Sequence, residues 1–199
     1  MKNIFLTSIV IIFFTTDSFA QFNEGKIEFS LNGTGGSYKF NSSSNYSGIN
    51  TSRTYLYLTT TVGYYVIDNI SIEPQFGLFA LKNSKPSQSI VLNVSYSKRI
   101  ENSNVALFIR SGYGLGNAIS SPFFYEIPIY RVANKWDVNI VNVGVGIKFI
   151  ISEVAALKFE TNYREESFLG EKDSEYFFWG NSDYSFDNMM LLIGISFYL

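Results

Sequence analysis

The sequence predicts an all-β fold, a transmembrane up-and-down antiparallel β-barrel of about eight strands. Three observations carry this. Apolar and polar residues alternate with period two in one segment after another. The connections between those segments alternate between short and long. Charged residues make up only 16% of the chain against 46% hydrophobic, where a soluble domain carries about a quarter charged. Yet past the N-terminus no uninterrupted apolar stretch reaches the roughly 18 residues of a membrane helix.

The N-terminus reads as an export signal. Lys2 supplies the positive start, Ile4 to Phe14 form a short apolar core, and Ser18-Phe19-Ala20 offers small residues at a cleavage site. Residues 1–20 are therefore expected to be a signal peptide, and 21–199 the barrel domain, bound for the cell outer membrane. The chain has no cysteine, so disulfides play no part. A net charge of −2 gives no basic surface for nucleic acid.

Eight segments can be followed in order. Ile27, Phe29 and Leu31 alternate with Lys26, Glu28, Ser30 and Asn32. Leu56, Leu58, Val62, Tyr64 and Val66 alternate with Tyr55, Tyr57, Thr59, Thr61 and Gly63. Ile70, Ile72, Phe76 and Leu78 alternate with Ser71, Glu73, Gln75 and Gly77; Pro74 in this segment lacks a ladder donor and predicts a bulge or local break. Ile90, Leu92, Val94 and Tyr96 alternate with Asn93, Ser95 and Ser97, and Val105, Leu107 and Ile109 with Ala106, Phe108, Arg110 and Gly112. Val141, Val143, Val145, Ile147 and Phe149 alternate with Asn142, Gly144, Gly146 and Lys148. Leu157, Phe159 and Tyr163 alternate with Lys158, Glu160 and Arg164. Last, Met189, Leu191, Ile193, Ile195, Phe197 and Leu199 alternate with Met190, Leu192, Gly194, Ser196 and Tyr198.

Short polar turns are expected near Asp68-Asn69, Lys98 to Ser103 and Ser152-Glu153. Long connections are expected near Gly36 to Asn50, Lys82 to Gln88, Gly116 to Asp137 and Glu166 to Phe186. Outer-membrane barrels have short periplasmic turns and longer outer loops, and a sheet in a bilayer must close because no water satisfies its edge. In this register Glu28, Glu73, Arg110, Lys148, Lys158 and Glu160 point inward. A small barrel is filled by side chains, so these charges are expected to pair with one another; an unpaired one would be costly.

Two stretches resemble a known family. Val62-Gly63-Tyr64-Tyr65-Val66-Ile67-Asp68-Asn69-Ile70, and Val145-Gly146-Ile147-Lys148-Phe149 through Ala156-Leu157-Lys158-Phe159-Glu160-Thr161, are similar to hairpins of the small outer-membrane β-barrel domain proteins of Bacteroidetes. Those proteins are related in fold to the OmpX and OmpA-type barrels. Tyr65 stands where Phe is usual, and Lys158 where an acid is common. The last strand, with Gly194, Ile195, Phe197 and the terminal Leu199, resembles the signal read by the barrel-assembly machinery. The resemblance implies a fold and a family but no shared activity.

Catalytic chemistry finds little support. Without histidine there is no Ser-His-Asp or Cys-His arrangement and no histidine metal site. Ser95-Tyr96-Ser97-Lys98 matches S-x-x-K by letters but ends a strand and lacks the partner motifs. Gly112-Tyr113-Gly114-Leu115-Gly116 lacks the lysine of a phosphate loop. Glu165, Glu166, Glu171, Asp173, Glu175, Asp183 and Asp187 fall in or beside the last loop without calcium-loop spacing and read as a solvated surface. Two loops are aromatic: Phe123, Phe124 and Tyr125 with Trp136, and Phe177, Phe178 and Trp179. Exposed aromatics there suit either recognition or a girdle at the lipid headgroups. The sequence thus points to a monomeric, cofactor-free, non-enzymatic envelope protein. Its partners would be outer-membrane lipid, lipopolysaccharide, the barrel-assembly machinery and a host or cell-surface ligand on the loops. A narrow pore, or a lateral path for small hydrophobic molecules, is the alternative.

Overall fold

A computed structural model describes residues 22–41, 50–82, 85–117, 136, 138–168 and 185–199, with 38–41, 50–53 and 168 described by backbone alone. The signal-peptide residues lie outside this set. Eight strands close into one barrel in sequence order: β1 (Ile27–Asn41), β2 (Asn50–Ile67), β3 (Ile70–Leu81), β4 (Ser87–Arg99), β5 (Val105–Gly116), β6 (Val138–Ser152), β7 (Ala155–Phe168) and β8 (Ser185–Tyr198). Every neighbouring pair is antiparallel, and β8 returns to β1.

The turns 68–69, 100–104 and 153–154 lie at the same end as Ile27 and Tyr198. Asn69 (φ 68°) and Asn102 (φ 54°) take the left-handed conformation that tight turns require and that Asn tolerates. Register shifts next to two of these turns, between Tyr65 and Ile67 and between Ile150 and Ser152, add local twist. The connections at the other end span 42–49, 82–86, 117–137 and 169–184. The second is short, not the long loop expected from Lys82 to Gln88, because β3 runs to Leu81 and β4 starts at Ser87. Three strands also run further into the expected loops than polarity suggests: β1 to Asn41, β7 to Phe168 and β8 from Ser185.

Pro74 does not bulge the strand. The β2–β3 register is the same on either side of it, from Thr61↔Gln75 to Tyr64↔Ile72, but the two positions between them are unpaired. On the β4 side Pro74 pairs with Leu92 without interruption. The missing N–H therefore costs a stretch of ladder on one side only.

Away from the two register shifts, side chains alternate between an inner and an outer row. The outer row is apolar and bare: Leu92 is 58% exposed, Val145 50% and Ile193 53%. Withdrawing one such side chain from water is worth about 1.5–3 kcal/mol. A continuous belt of them suits hydrocarbon, not water.

The seam between β1 and β8 differs from the others. It is bonded from Ile27 and Leu199, whose N–H groups donate to each other's carbonyls (3.1 and 2.9 Å), up to Gly33↔Ile193. Beyond that point no β1–β8 pair forms among the described residues. Yet β1 stays paired with β2 to Asn41↔Asn50, and β8 with β7 to Ser167↔Ser185.

Candidate functional site

The inner row of the eight strands builds a lumen in three layers. At the terminus end lies an apolar floor. Phe22, just before β1, is fully buried with Tyr65, Ala106, Ile150, Ala156 and Tyr198. Its ring centroid is 5.8 Å from those of Tyr65 and Tyr198. Its carbonyl accepts the Asn69 N–H (2.6 Å), which ties the chain start to the β2–β3 turn.

The middle layer is charged. Lys148 Nζ donates to Glu28 Oε2 (2.7 Å) and to Ser97 Oγ (3.1 Å). Tyr65 OH donates to the same Glu28 oxygen (2.7 Å). Across the barrel, Arg110 Nε donates to Glu160 Oε1 (2.7 Å), and Arg110 Nη1 stands 4.0 Å from Glu73 Oε2. Lys158 Nζ is 3.5 Å from Glu160 Oε2 and 4.5 Å from the centre of the Phe108 ring. Ser71 Oγ donates to Glu73 (2.8 Å) and Asn162 Nδ2 to Glu160 (3.0 Å). All six inward charges named from the sequence sit here, each at most 3% exposed. Gly144 makes room for one of them: a Cβ at this position would collide with Glu160 Oε1.

A further ion pair stands above them. Arg164 Nε donates to Glu166 Oε1 (2.5 Å), and Nη1 to Tyr57 OH (3.0 Å). The polarity of Glu165-Glu166 suggests a solvated loop, but Glu166 is fully buried inside β7. Its inward position follows the alternation of Lys158, Glu160 and Arg164 one step further, and that was the signal available for it. Glu165 and Asp187 are register partners on the opposite face of β7 and β8.

The third layer, toward the loops, is mainly apolar, with buried Ser87 and Ser89 of β4 beside it. Tyr57, Phe79, Leu81 and Leu192 form one buried cluster with Tyr55 and Met190 against it. Val91, Val138 and Ile140 form another with Phe186. Of these, only Tyr55, Tyr57, Met190 and Leu192 follow from the alternation given above; the packed clusters they enter do not.

Other residues singled out in the sequence scatter. Phe123, Phe124, Tyr125, Phe177, Phe178 and Trp179 lie outside the described residues, and Trp136 is 41% exposed. Gly194, Ile195 and Phe197 pair with both β1 and β7, and Leu199 bonds to Ile27. Ser95 is buried and inward, while Lys98, three residues on in the same strand, belongs to the outer row. The two therefore cannot act together. Gly112 to Gly116 are the end of β5, where the Tyr113 hydroxyl donates to Asn139 Oδ1 (2.5 Å).

The geometry matches solved barrels. The N-terminal β-barrel domain of Pseudomonas aeruginosa OprF superposes with a TM-score of 0.52 over 88% of this chain and 98% of that one, at 13% identity. Neisserial surface protein A does so with 0.51 over 87% and 99%, at 11% identity. The fold is that of the small outer-membrane barrels. At such identities the likeness speaks for fold alone. No protein-family model and no curated protein matches the sequence.

Proposed function

We propose that this chain is a non-enzymatic outer-membrane protein, exported by a signal peptide cleaved after Ala20. Its sealed barrel is a rigid anchor for outer loops that serve envelope structure, adhesion or recognition. The observation that carries this reading is the charged layer around Arg110 and Glu160, which crosses the lumen above the floor at Phe22. A lumen filled this way supports a scaffold over a pore. The apolar outer row supports a lipid environment. The two hairpins that resemble the Bacteroidetes barrel family fall on the β2–β3 and β6–β7 turns, which favours that narrower placement. The aromatic loops bearing Phe123 and Trp179 are the natural contact surface for lipopolysaccharide or a cell-surface ligand. Assembly would proceed through the last strand, from Gly194 to Leu199.

The test is conductance of the refolded mature protein in a planar bilayer, with insertion checked by its altered gel mobility before boiling. A silent, inserted barrel is expected. Steady conductance whose ion selectivity changes on Arg110→Leu would replace the scaffold with a pore.

A further inference from the structure

We propose that two copies of this chain join through the upper β1–β8 seam: the upper β1 edge of each copy pairs with the upper β8 edge of the other, about a two-fold axis along the membrane normal. The inference rests on the bilayer location proposed above, not on any role of the loops. It departs from the single copy expected from the sequence.

The first observation is a pair of edges that match. Above Gly33↔Ile193 no β1–β8 pair forms among the described residues. Each edge is nonetheless a regular strand on its other side. β1 pairs with β2 up to Asn41↔Asn50, and β8 with β7 up to Ser167↔Ser185, without a register shift in either. An extended edge with no bulge and no proline is a template for another strand. Carried upward from Gly33↔Ile193, the register sets Gly35 against Leu191, Ser37 against Met189 and Asn41 against Ser185, so the two stretches end together. It also sets Lys39 against Asp187, a base against an acid.

The second observation decides what covers these edges. Gly35 pairs with Leu56 and stands level with Leu191, both exposed apolar residues of the outer row, so the foot of the gap lies in hydrocarbon. Lipid chains offer backbone amides no hydrogen bond. Another strand edge does, and the bilayer holds every copy upright. The two-fold axis brings β1 of one copy, running up, against β8 of the other, running down. That is the antiparallel sense of the lower seam. It occurs twice, so the contact closes as a dimer. From Ser37 to Asn41 the same ladder continues above the belt.

The third observation is the relief of the outer row. β1 is low here, with Gly33, Gly35 and Ser37 in succession. β8 is high: Met189 is 76% exposed and Leu191 58%. Small residues against large ones let two walls approach closely.

The chain has no cysteine, so introduced ones report cleanly. Two variants of the full mature chain, Ser37→Cys and Met189→Cys, are refolded together into phosphatidylcholine vesicles and oxidised. Directly opposed residues stand within reach of a disulfide. Altered gel mobility first shows that each variant is folded; failure there would overturn the membrane reading itself, and the dimer with it. Among folded barrels the mixture should give a disulfide-linked species of twice the mass, and neither variant alone should. Asp187→Lys in both chains, which sets a second base against Lys39, should cut the yield roughly tenfold. Adding Lys39→Asp in both should restore it. Diluting the copies in lipid should lower the yield and leave the seam-facing amides of residues 34–37 open to exchange. The control is Ile90→Cys, outward on β4 and across the ring from the seam. Linkage of Met189→Cys to it as readily as to Ser37→Cys would mean random contact and overturn the proposal. A double variant Ser37→Cys/Met189→Cys that links only within its own chain would mean that the seam closes on itself, and would overturn it too. So would the absence of any link.

Discussion

The lower and upper halves of the β1–β8 seam join the same two strands with opposite results. From Ile27 to Gly33 the joint is hydrogen-bonded like any other in the ring; from Thr34 on it is not. β8 is apolar from Met189 to Leu192, opposite the start of the open stretch, so the weakness lies on β1. Its lower half reads Ile-Glu-Phe-Ser-Leu, and its upper half carries Gly33, Gly35 and Gly36 within four residues. Glycine packs nothing and weakens a strand. The closed half of the seam flanks the charged layer, and the open half flanks the packed cluster that holds Leu192 and Met190. Local strand composition thus decides where a closed barrel can yield sideways.

The contrast can be broken from the charged side first. Arg110→Leu leaves Glu160 and Glu73 buried without their shared partner. It should cost about 3–5 kcal/mol, read as a lower guanidinium midpoint for unfolding from vesicles. The double replacement Arg110→Leu/Glu160→Leu should recover at least half of that loss, because Glu73 and Lys158 still balance. Lys148→Met should cost less, about 2–3 kcal/mol, since Tyr65 and Ser30 go on donating to Glu28. Gly144→Ala should cost about 1–3 kcal/mol by displacing the Glu160 carboxylate. The mildest probe is amide exchange without any mutation. Seam-facing amides in residues 34–37 should exchange about tenfold or more faster than those in residues 28–33. Equal protection would mean that the upper seam is bonded after all.

Much of this fold was legible because a spanning strand obeys one rule, alternation, over its whole length. The inward set Glu28, Glu73, Arg110, Lys148, Lys158 and Glu160 follows from that rule alone. Polarity misled where it was taken as a loop signal. Glu166 is a charged inner-row residue with its own arginine, and Gly36 to Asn41 continue a strand above the outer row's apolar belt. The seam was not legible, because pairing between the first and last strands is set by a register that no local pattern reports. Pro74 pointed to a defect in the wall, but its effect is confined to an unpaired stretch facing β2, while the larger gap sits on the far side of β1, toward β8.

The mutual hydrogen bonds of Ile27 and Leu199 make the barrel a ring whose starting point is arbitrary. A short linker from Leu199 to Gln21 would join the ends with Phe22 kept in the floor, and new termini can be cut in the 117–137 connection. Such a circular permutant turns β1 and β8 into a hairpin. If the gap survives in it, glycine content alone holds the wall open. If it heals, the gap is a mark of the order in which the strands are threaded.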